Sequence, residues 1–375
     1  MSNATIDKGA DMANTIKCKN CSANLKYKPG TKSLKCDYCN TNNDIESSET
    51  TVIENDYLQF LKENGSAGVK QDITVCKCTN CGASTTLPPN ITSSACPYCD
   101  TPLVVQNAST CSIIKPKYVL AFKIDRNEAK EKFISWVKSL WFAPNKLKDY
   151  AAHSAEKLNG VYMPYWTYDS NTVTSYIGMR GVHYYVTETY RDSNGKTQTR
   201  SVRHTRWTPV SGTVNENFND VLVCASNSLP RDLTKKLEPW DLQELAEFDD
   251  RYLAGFITES YQVNITEGFD HAKNTMAASI RGSIRSDIGG DEQQITSMDT
   301  NYNDITFKHI LLPLWISAYS YDQKTYRFSV NARTGEVQGE RPYSAWKIFF
   351  LVITILAIIG TIIYLSQRTN YPSDY

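Results

Sequence analysis

The chain has 375 residues, 41% of them hydrophobic, which is enough for two or three packed domains and too apolar for a disordered protein. Lys plus Arg equals Asp plus Glu at 40 each, so no whole-molecule field draws the chain to DNA or to an anionic membrane, and any charge-driven partner has to be recognised locally. Eleven cysteines, eight of them in four Cys-x-x-Cys pairs, suit thiolate metal sites in a reducing compartment and argue against a secreted disulfide framework.

Residues 1–17 are polar and lack the basic-then-apolar pattern of a signal sequence, so a disordered, cytosolic N-terminus is expected. Residues 18–45 form the first metal motif: Cys18 and Cys21, then Cys36 and Cys39. Cys78, Cys81, Cys96 and Cys99 repeat that spacing inside a second module over 76–110, sixty residues on at every ligand, with Asn20 and Ala23 matched by Asn80 and Ala83. Each quartet reads as a ribbon built from two knuckles. Four thiolates close the coordination sphere and leave no place for water, so two structural Zn2+ ions are expected and no catalytic metal. Zinc binding worth roughly 10–16 kcal/mol replaces the core that such short modules cannot build. A sulfur-four tetrahedron accepts iron as well. Cys76, Cys111 and Cys224 read as buried spare thiols.

Lys17, Lys19, Lys26, Lys28, Lys32 and Lys35 crowd the first ribbon and are the candidate contacts for an anionic partner: nucleic acid, lipid headgroups or an acidic protein segment. Few aromatic residues accompany them, which disfavours nucleic acid. Between the ribbons, residues 46–75 read as an acidic tether. It contains one short helix near 56–63, signalled by Tyr57, Phe60 and Leu61 at helical spacing and stopped by Gly65 and Gly68.

Residues 115–342 are rich in Tyr, Trp, Val, Thr and Ile and read as a β-rich α+β domain. A long hairpin is predicted over 174–207, turning at Asn194 and Gly195. Helices are predicted over 127–141 and 267–284. Each follows a short strand (120–124, 261–265) and precedes an aromatic strand pair at 163–169 or 312–322, giving two strand-helix-strand-strand units with the hairpin inserted in the first. Residues 348–365 carry no charge, and at about 1.5 Å per residue reach roughly 27 Å, a bilayer's hydrocarbon thickness. Tyr343, Trp346 and Tyr364 flank this transmembrane helix as interfacial aromatics do. Arg333, Arg341 and Lys347 precede it and Arg368 follows, so the positive-inside rule places the bulk of the chain in the cytosol. The expectation is a tail-anchored, single-pass protein of the cell membrane, with the short tail 366–375 on the far side.

Chemistry-bearing patterns are sparse. His153, His183, His204, His271 and His309 are scattered, no His-Glu-x-x-His or Gly-x-Ser-x-Gly motif occurs, and the phosphate loop of an ATP-driven motor is missing. Neither Asp169, His183 nor His309 earns a catalytic role from sequence.

The phrases VYMPYWTYD at 161–169, RWTPVSG at 206–212, TFKHILLPLW at 306–315 and RTGEVQGERPYS at 333–344 give the chain a resemblance over nearly its whole length. It resembles bacterial zinc-ribbon, single-span membrane proteins often mislabelled as primosomal-helicase-like. Some relatives are encoded near phage-shock-type and band-7 proteins, and many carry one ribbon where this chain has two. The resemblance implies a role in recruiting such partners to the membrane and supplies no catalytic residues; with the closed metal sites, the lone anchor and the absence of a catalytic constellation, the expectation is a non-catalytic adaptor or scaffold that docks cytosolic partners at the membrane in a membrane-stress response. Nucleic-acid binding by the zinc ribbons of a membrane-tethered protein and an unrecognised enzyme within 115–342 are the alternatives.

Overall fold

The computed structural model describes residues 16–45, 52–63, 70–86, 93–99, 101–104, 108–147, 155–191, 195–321 and 324–369. The expected disorder of residues 1–15, linker residues 46–51 and 64–69 with Gly65 and Gly68, the turn tip at 192–194 and the tail from 370 lie outside them.

The first cysteine quartet sits on a three-stranded antiparallel sheet, β1 (Lys26–Tyr27), β2 (Ser33–Lys35) and β3 (Asn42–Asp44). Leu25, Tyr27, Leu34 and Ile45 turn inward and join a core shared with Phe122, Tyr252 and Trp315 of the large domain. Next, β4 (Asn55–Asp56) pairs with the main sheet and α1 (Tyr57–Lys62) starts at Asp56, whose carboxylate accepts the Gln59 N–H at 2.6 Å. Tyr57 and Phe60 are buried against Tyr168, Phe269 and Phe307. The helix expected in a free tether is thus docked, because its aromatic pair has an apolar surface to cover.

The second quartet is carried by β5 (Lys70–Lys77), β6 (Ser84–Thr86), β7 (Ser93–Ala95), β8 (Pro102–Val104) and β9 (Ala108–Ile114), which form one sheet ordered β6-β5-β9 and the pair β7-β8.

The large domain runs β10 (Tyr118–Val119), α2 (Arg126–Ser139), β11 (Asn159–Arg191), β12 (Thr197–Cys224), α3 (Arg231–Lys236), β13 (Ala246–Glu247), β14 (Ile257–Thr258), α4 (Ile265–Ile288), β15 (Glu292–Tyr321), β16 (Lys324–Asn331) and β17 (Val337–Gly339). The last helix is α5 (Ala345–Thr369). The short aromatic strand pairs expected from sequence lie near the start of β11, 33 residues long, and at the end of β15, 30 residues long. Gly178 is a point of close approach within β11, since a Cβ there would lie 2.6 Å from the Gln294 carbonyl. Helix starts fall where local chemistry sets them: Asp125 accepts the Asn127 and Glu128 N–H groups, and Asn264 those of Thr266 and Glu267.

β11 and β15 pair antiparallel at the centre of a nine-stranded sheet. Each helical unit reaches across this centre. β10 lies parallel to β15 at Ile310 and Leu311, whereas β14 lies parallel to β11 at Val161 and Tyr162. The Ala225 N–H donates to the Pro164 carbonyl at 3.0 Å, and its own carbonyl accepts from Gln262 and Val263, just before the α4 cap. Ala332 donates to Pro313 at 3.1 Å and accepts from Lys123 and Ile124, just before the α2 cap. The sequence predicts two strand-helix-strand-strand units packed together; in the structure the strand leading into each helix pairs with the long strand that follows the other helix.

α4 covers one face of the long strands. Ile265, Phe269, Ala272, Met276, Ile280, Ile284 and Ile288 recur every three or four residues and are all buried, each large one contributing about 1.5–3 kcal/mol. Gly268 lets the helix approach Tyr168, whose hydroxyl donates to the Ile265 carbonyl at 2.6 Å. Beyond Gly181, opposite the first residue of β15, β11 and β12 continue alone as a two-stranded arm. The predicted hairpin is this arm, and Gly195 at its turn has φ +76°.

Candidate metal centres and buried carboxylates

In each quartet all four sulfurs lie within 4.8 Å of one another. Cys18–Cys39, Cys21–Cys36, Cys78–Cys99 and Cys81–Cys96 are each 3.5 Å apart. Four thiolates about 2.3 Å from one ion would be separated by about 3.8 Å, so both donor sets fit a single tetrahedral metal. A disulfide needs about 2.0 Å, and none of the ten described cysteines forms one. Two structural metal ions therefore fit.

The knuckles show why these residues occur at these places. Ser22 and Gly82 turn left-handed after the second ligand, φ +59° and +76°, and donate their N–H groups to Cys18 and Cys78 carbonyls at 2.9 Å. The Asn20 N–H points at the Cys18 sulfur, 3.4 Å away. Sequence reasoning missed Thr41 and Thr101. Their hydroxyl oxygens lie 3.1 Å from the Cys39 and Cys99 sulfurs and accept from the Asn20 and Asn80 side-chain amides, leaving each hydroxyl proton for the sulfur. Hydrogen bonding from Thr41 holds the Cys39 thiol down at about 6. A threonine two residues after the last cysteine of both quartets was the available signal.

The two modules meet the domain differently. Cys78, Cys96, Cys99 and Tyr98 are buried in a core with Val161, Met163 and Leu312. β6 runs against the end of β14 and the two residues that follow it, with the Ser260 N–H donating to Ser84 at 3.1 Å and the Thr86 hydroxyl to Thr258 at 2.8 Å. The first module packs through its sheet, with Tyr27 and Gly30 donating to Ala254 and Phe122, and Cys18 and Cys36 are buried in the core that the sheet shares with the domain. The outer side of its knuckles faces solvent, with Cys21 exposed and Tyr38 82% exposed, whereas the equivalent Tyr98 is completely buried. Of the six candidate lysines, Lys17, Lys19, Lys26, Lys28 and Lys32 are exposed and Lys35 is half-buried. Lys17 donates to Asn24 at 2.6 Å and Lys26 pairs with Asp37 at 3.5 Å.

Two carboxylate clusters were invisible in the sequence. Glu259, buried under the second module, accepts from the Tyr98, Ser226 and Ser228 hydroxyls and from Gln262. Burial pushes its carboxyl up to about 7 against those donors. Lys308, 4% exposed in its side chain, bridges Glu54 and Asp220 at 2.6 Å each, and Asp169 accepts the Asp220 N–H at 2.7 Å. Burial, then a hydrogen bond with Glu54, raises Asp169 to about 6. Both clusters stitch chain segments together, the first tying the metal module to the sheet and the second tying the linker to β15.

His309 is buried, its Nδ1 2.9 Å from the Ile114 carbonyl, and burial lowers it to about 4. His183 Nε2 meets Glu292 at 2.7 Å at the base of the arm. An open depression of about 360 Å3 beside Arg281, Arg285 and Gln293 contains none of the shifted carboxylates.

α5 contains a candidate membrane span over Ala345–Ser366 with none of its apolar window buried. Arg333, counted from sequence as a charge flanking that span, is committed inside the domain, with Nη2 against Asp241 at 2.5 Å and Glu244 at 3.2 Å.

No protein-family model matches the chain, and no solved structure matches it. It is similar to an uncharacterized Bacillus subtilis (strain 168) protein, YdjG, at 27% identity over 336 residues that cover 89% of this chain and 92% of that one.

Proposed function

We propose that this chain is a non-catalytic, single-span membrane adaptor, holding Zn2+ in both cysteine quartets and presenting its first ribbon to cytosolic protein partners. The observation that carries the reading is the asymmetry between the modules: the second buries Tyr98 with Cys78, Cys96 and Cys99 in the domain core, whereas the first buries only Cys18 and Cys36 and turns Cys21, Tyr38 and five lysines outward. A closed metal site on an exposed module offers a rigid surface and no reactive position. α5, whose apolar window is unburied among the described residues, anchors the chain in the membrane. Phage-shock-type and band-7 proteins are the partner classes that the sequence resemblance suggests, in a membrane-stress role. The interleaved halves are read as an internal duplication, supported by the matched Ala225 and Ala332 hydrogen bonds.

In-cell crosslinking of the full-length chain, compared with a Tyr38→Ser, Lys19→Glu, Lys28→Glu variant, tests the adaptor reading. Specific partners should be recovered with the parent and lost with the variant. Equal recovery, or no partner from either, counts against it. Elemental analysis and membrane extraction of the same material test the zinc and the anchor.

One observation favours nucleic-acid binding as a second reading. The two-stranded arm carries Arg191, Lys196, Arg200, Arg203 and Arg206 beside Tyr184, Tyr185 and Tyr190, the mixture of cations and stacking rings that single strands use. Oligonucleotide binding with a steep salt slope, reduced by Arg203→Ala and Arg206→Ala, would support it. Salt-insensitive or absent binding would remove it.

A further inference from the structure

α2 ends at Ser139, and residues 140–147 loop back beneath the start of α5. Leu140, Ala143 and Leu147 of this loop are buried at 7%, 5% and 0% exposure, so it is pinned to the domain. Trp141 is the exception at 72% exposure, the same value as Trp346 in the first turn of α5. Loop and helix are joined directly. The Lys347 ammonium donates to the Trp141 and Ala143 carbonyls at 3.0 and 2.8 Å and to the Asn145 side chain at 2.8 Å. The Ser344 N–H donates to the Phe142 carbonyl at 2.7 Å.

A lysine in the first turn of a helix sits against the positive end of the helix dipole, and three oxygens fixing it there hold α5 to the loop at a defined place. If α5 spans the bilayer, Lys347 marks the level at which the helix leaves water, and Trp141 is held at that level. We infer that the loop 140–147 is a second membrane-contacting element, with Trp141 seated among lipid headgroups beside Trp346. The inference rests on the reading of α5 as a span. Continuity with α5 selects a lipid surface over a protein as the occupant, because a partner covering Trp141 would have to lie where the headgroups are. The loop's charge agrees. Lys138 and Lys146 are exposed, no carboxylate occurs from 138 to 147, and the Arg341 guanidinium lies 5.4 Å from the Tyr343 ring. Indole rings and basic side chains are the residues that settle at an anionic lipid interface.

The test places an environment-sensitive fluorescent amino acid at position 141, 346 or 184, one at a time, in the full-length chain, reconstituted into phosphatidylcholine and phosphatidylglycerol vesicles with or without a shallow spin-labelled lipid. Position 184 on the arm is the water-facing control. The expected result is loss of emission at 141 comparable to that at 346, with none at 184. Loss at 346 without loss at 141 overturns the seat and leaves the anchor standing. Loss at neither position removes the anchor and the seat with it. Loss at all three positions overturns the assignment of a specific seat, because the quencher then reports no preferred level.

Discussion

The Trp166 indole N–H donates to the Val263 carbonyl at 2.9 Å, and Val263 is the residue immediately before the α4 cap. Trp315 does the same to Ile124, immediately before the α2 cap, also at 2.9 Å. Each tryptophan, two residues after Pro164 or Pro313, therefore fixes the start of a helix distant from it in the sequence. Trp166→Phe and Trp315→Phe keep an aromatic ring but leave a buried carbonyl without its donor, a loss of about 1–3 kcal/mol each. Chemical denaturation of the detergent-solubilised protein should show both variants destabilised by similar amounts. A large loss for one and none for the other would mean that the two contacts are not equivalent.

Glu259 makes stability pH-dependent in a direction opposite to that of an ion-paired acid. Its folded pKa of about 7 lies above its ordinary 4.5, so between those values the folded chain holds more protons than the unfolded one. Its contribution is complete below about pH 4.5, declines as the pH rises through that window and levels off above about 7, a change on the order of 3 kcal/mol. Glu259→Gln should flatten this component, so that the stability difference between variant and parent shifts in the variant's favour as pH rises. Protonation of the metal thiolates at low pH acts on both proteins alike, which is why the difference is the quantity to follow. An unchanged difference from about pH 5 to 8 would show that Glu259 does not titrate in this range.

Both cysteine quartets, the apolar helix and the long hairpin are written locally, as spacing, composition and alternation, and so could be read from the chain. The crossing of the halves is not. Nothing near Ala225 announces that its carbonyl will accept from Gln262 and Val263, and Glu259, in the stretch ITESYQ, gives no sign that it will be buried beneath Tyr98. Tyr38 and Tyr98 hold equivalent positions in the sequence repeat, yet one is in solvent and the other in a core. Their difference comes from which surface of the sheet each module covers, a tertiary choice that a repeat by itself does not encode.

Lys308 holds three carboxyl groups from distant parts of the chain around one ammonium. Lys308→Met removes the cation and leaves Glu54, Asp220 and Asp169 facing one another, and loss of one member of a buried pair costs about 3–5 kcal/mol. Protonation relieves the repulsion, and Asp169 already titrates near 6 with the lysine present. The deficit of the variant should therefore be greatest near pH 8 and smaller near pH 5, about one unit below that value. A deficit independent of pH would point to lost packing of the lysine stem as the cause.

Metal removal should separate the two modules. Cys78, Cys96 and Cys99 share a core with β11 and β15, so freeing that quartet exposes Val161, Met163 and Leu312 as well as the module itself. Cys21 and Cys39 lie at the outer edge of a module that touches the domain through Tyr27, Leu34 and Ile45. Cys96→Ser should lower the unfolding midpoint of the whole domain and increase hydrogen exchange at β11 and β15. Cys21→Ser should leave the midpoint nearly unchanged and confine faster exchange to residues 16–45, since a locally folded unit opens without dragging the core. Metal analysis should find one equivalent lost in each variant, because a quartet reduced to three thiolates no longer closes the tetrahedron. Equal destabilisation by the two substitutions would show that the first module carries as much of the domain's stability as the second, and that its exposed face is not an appendage free to meet partners.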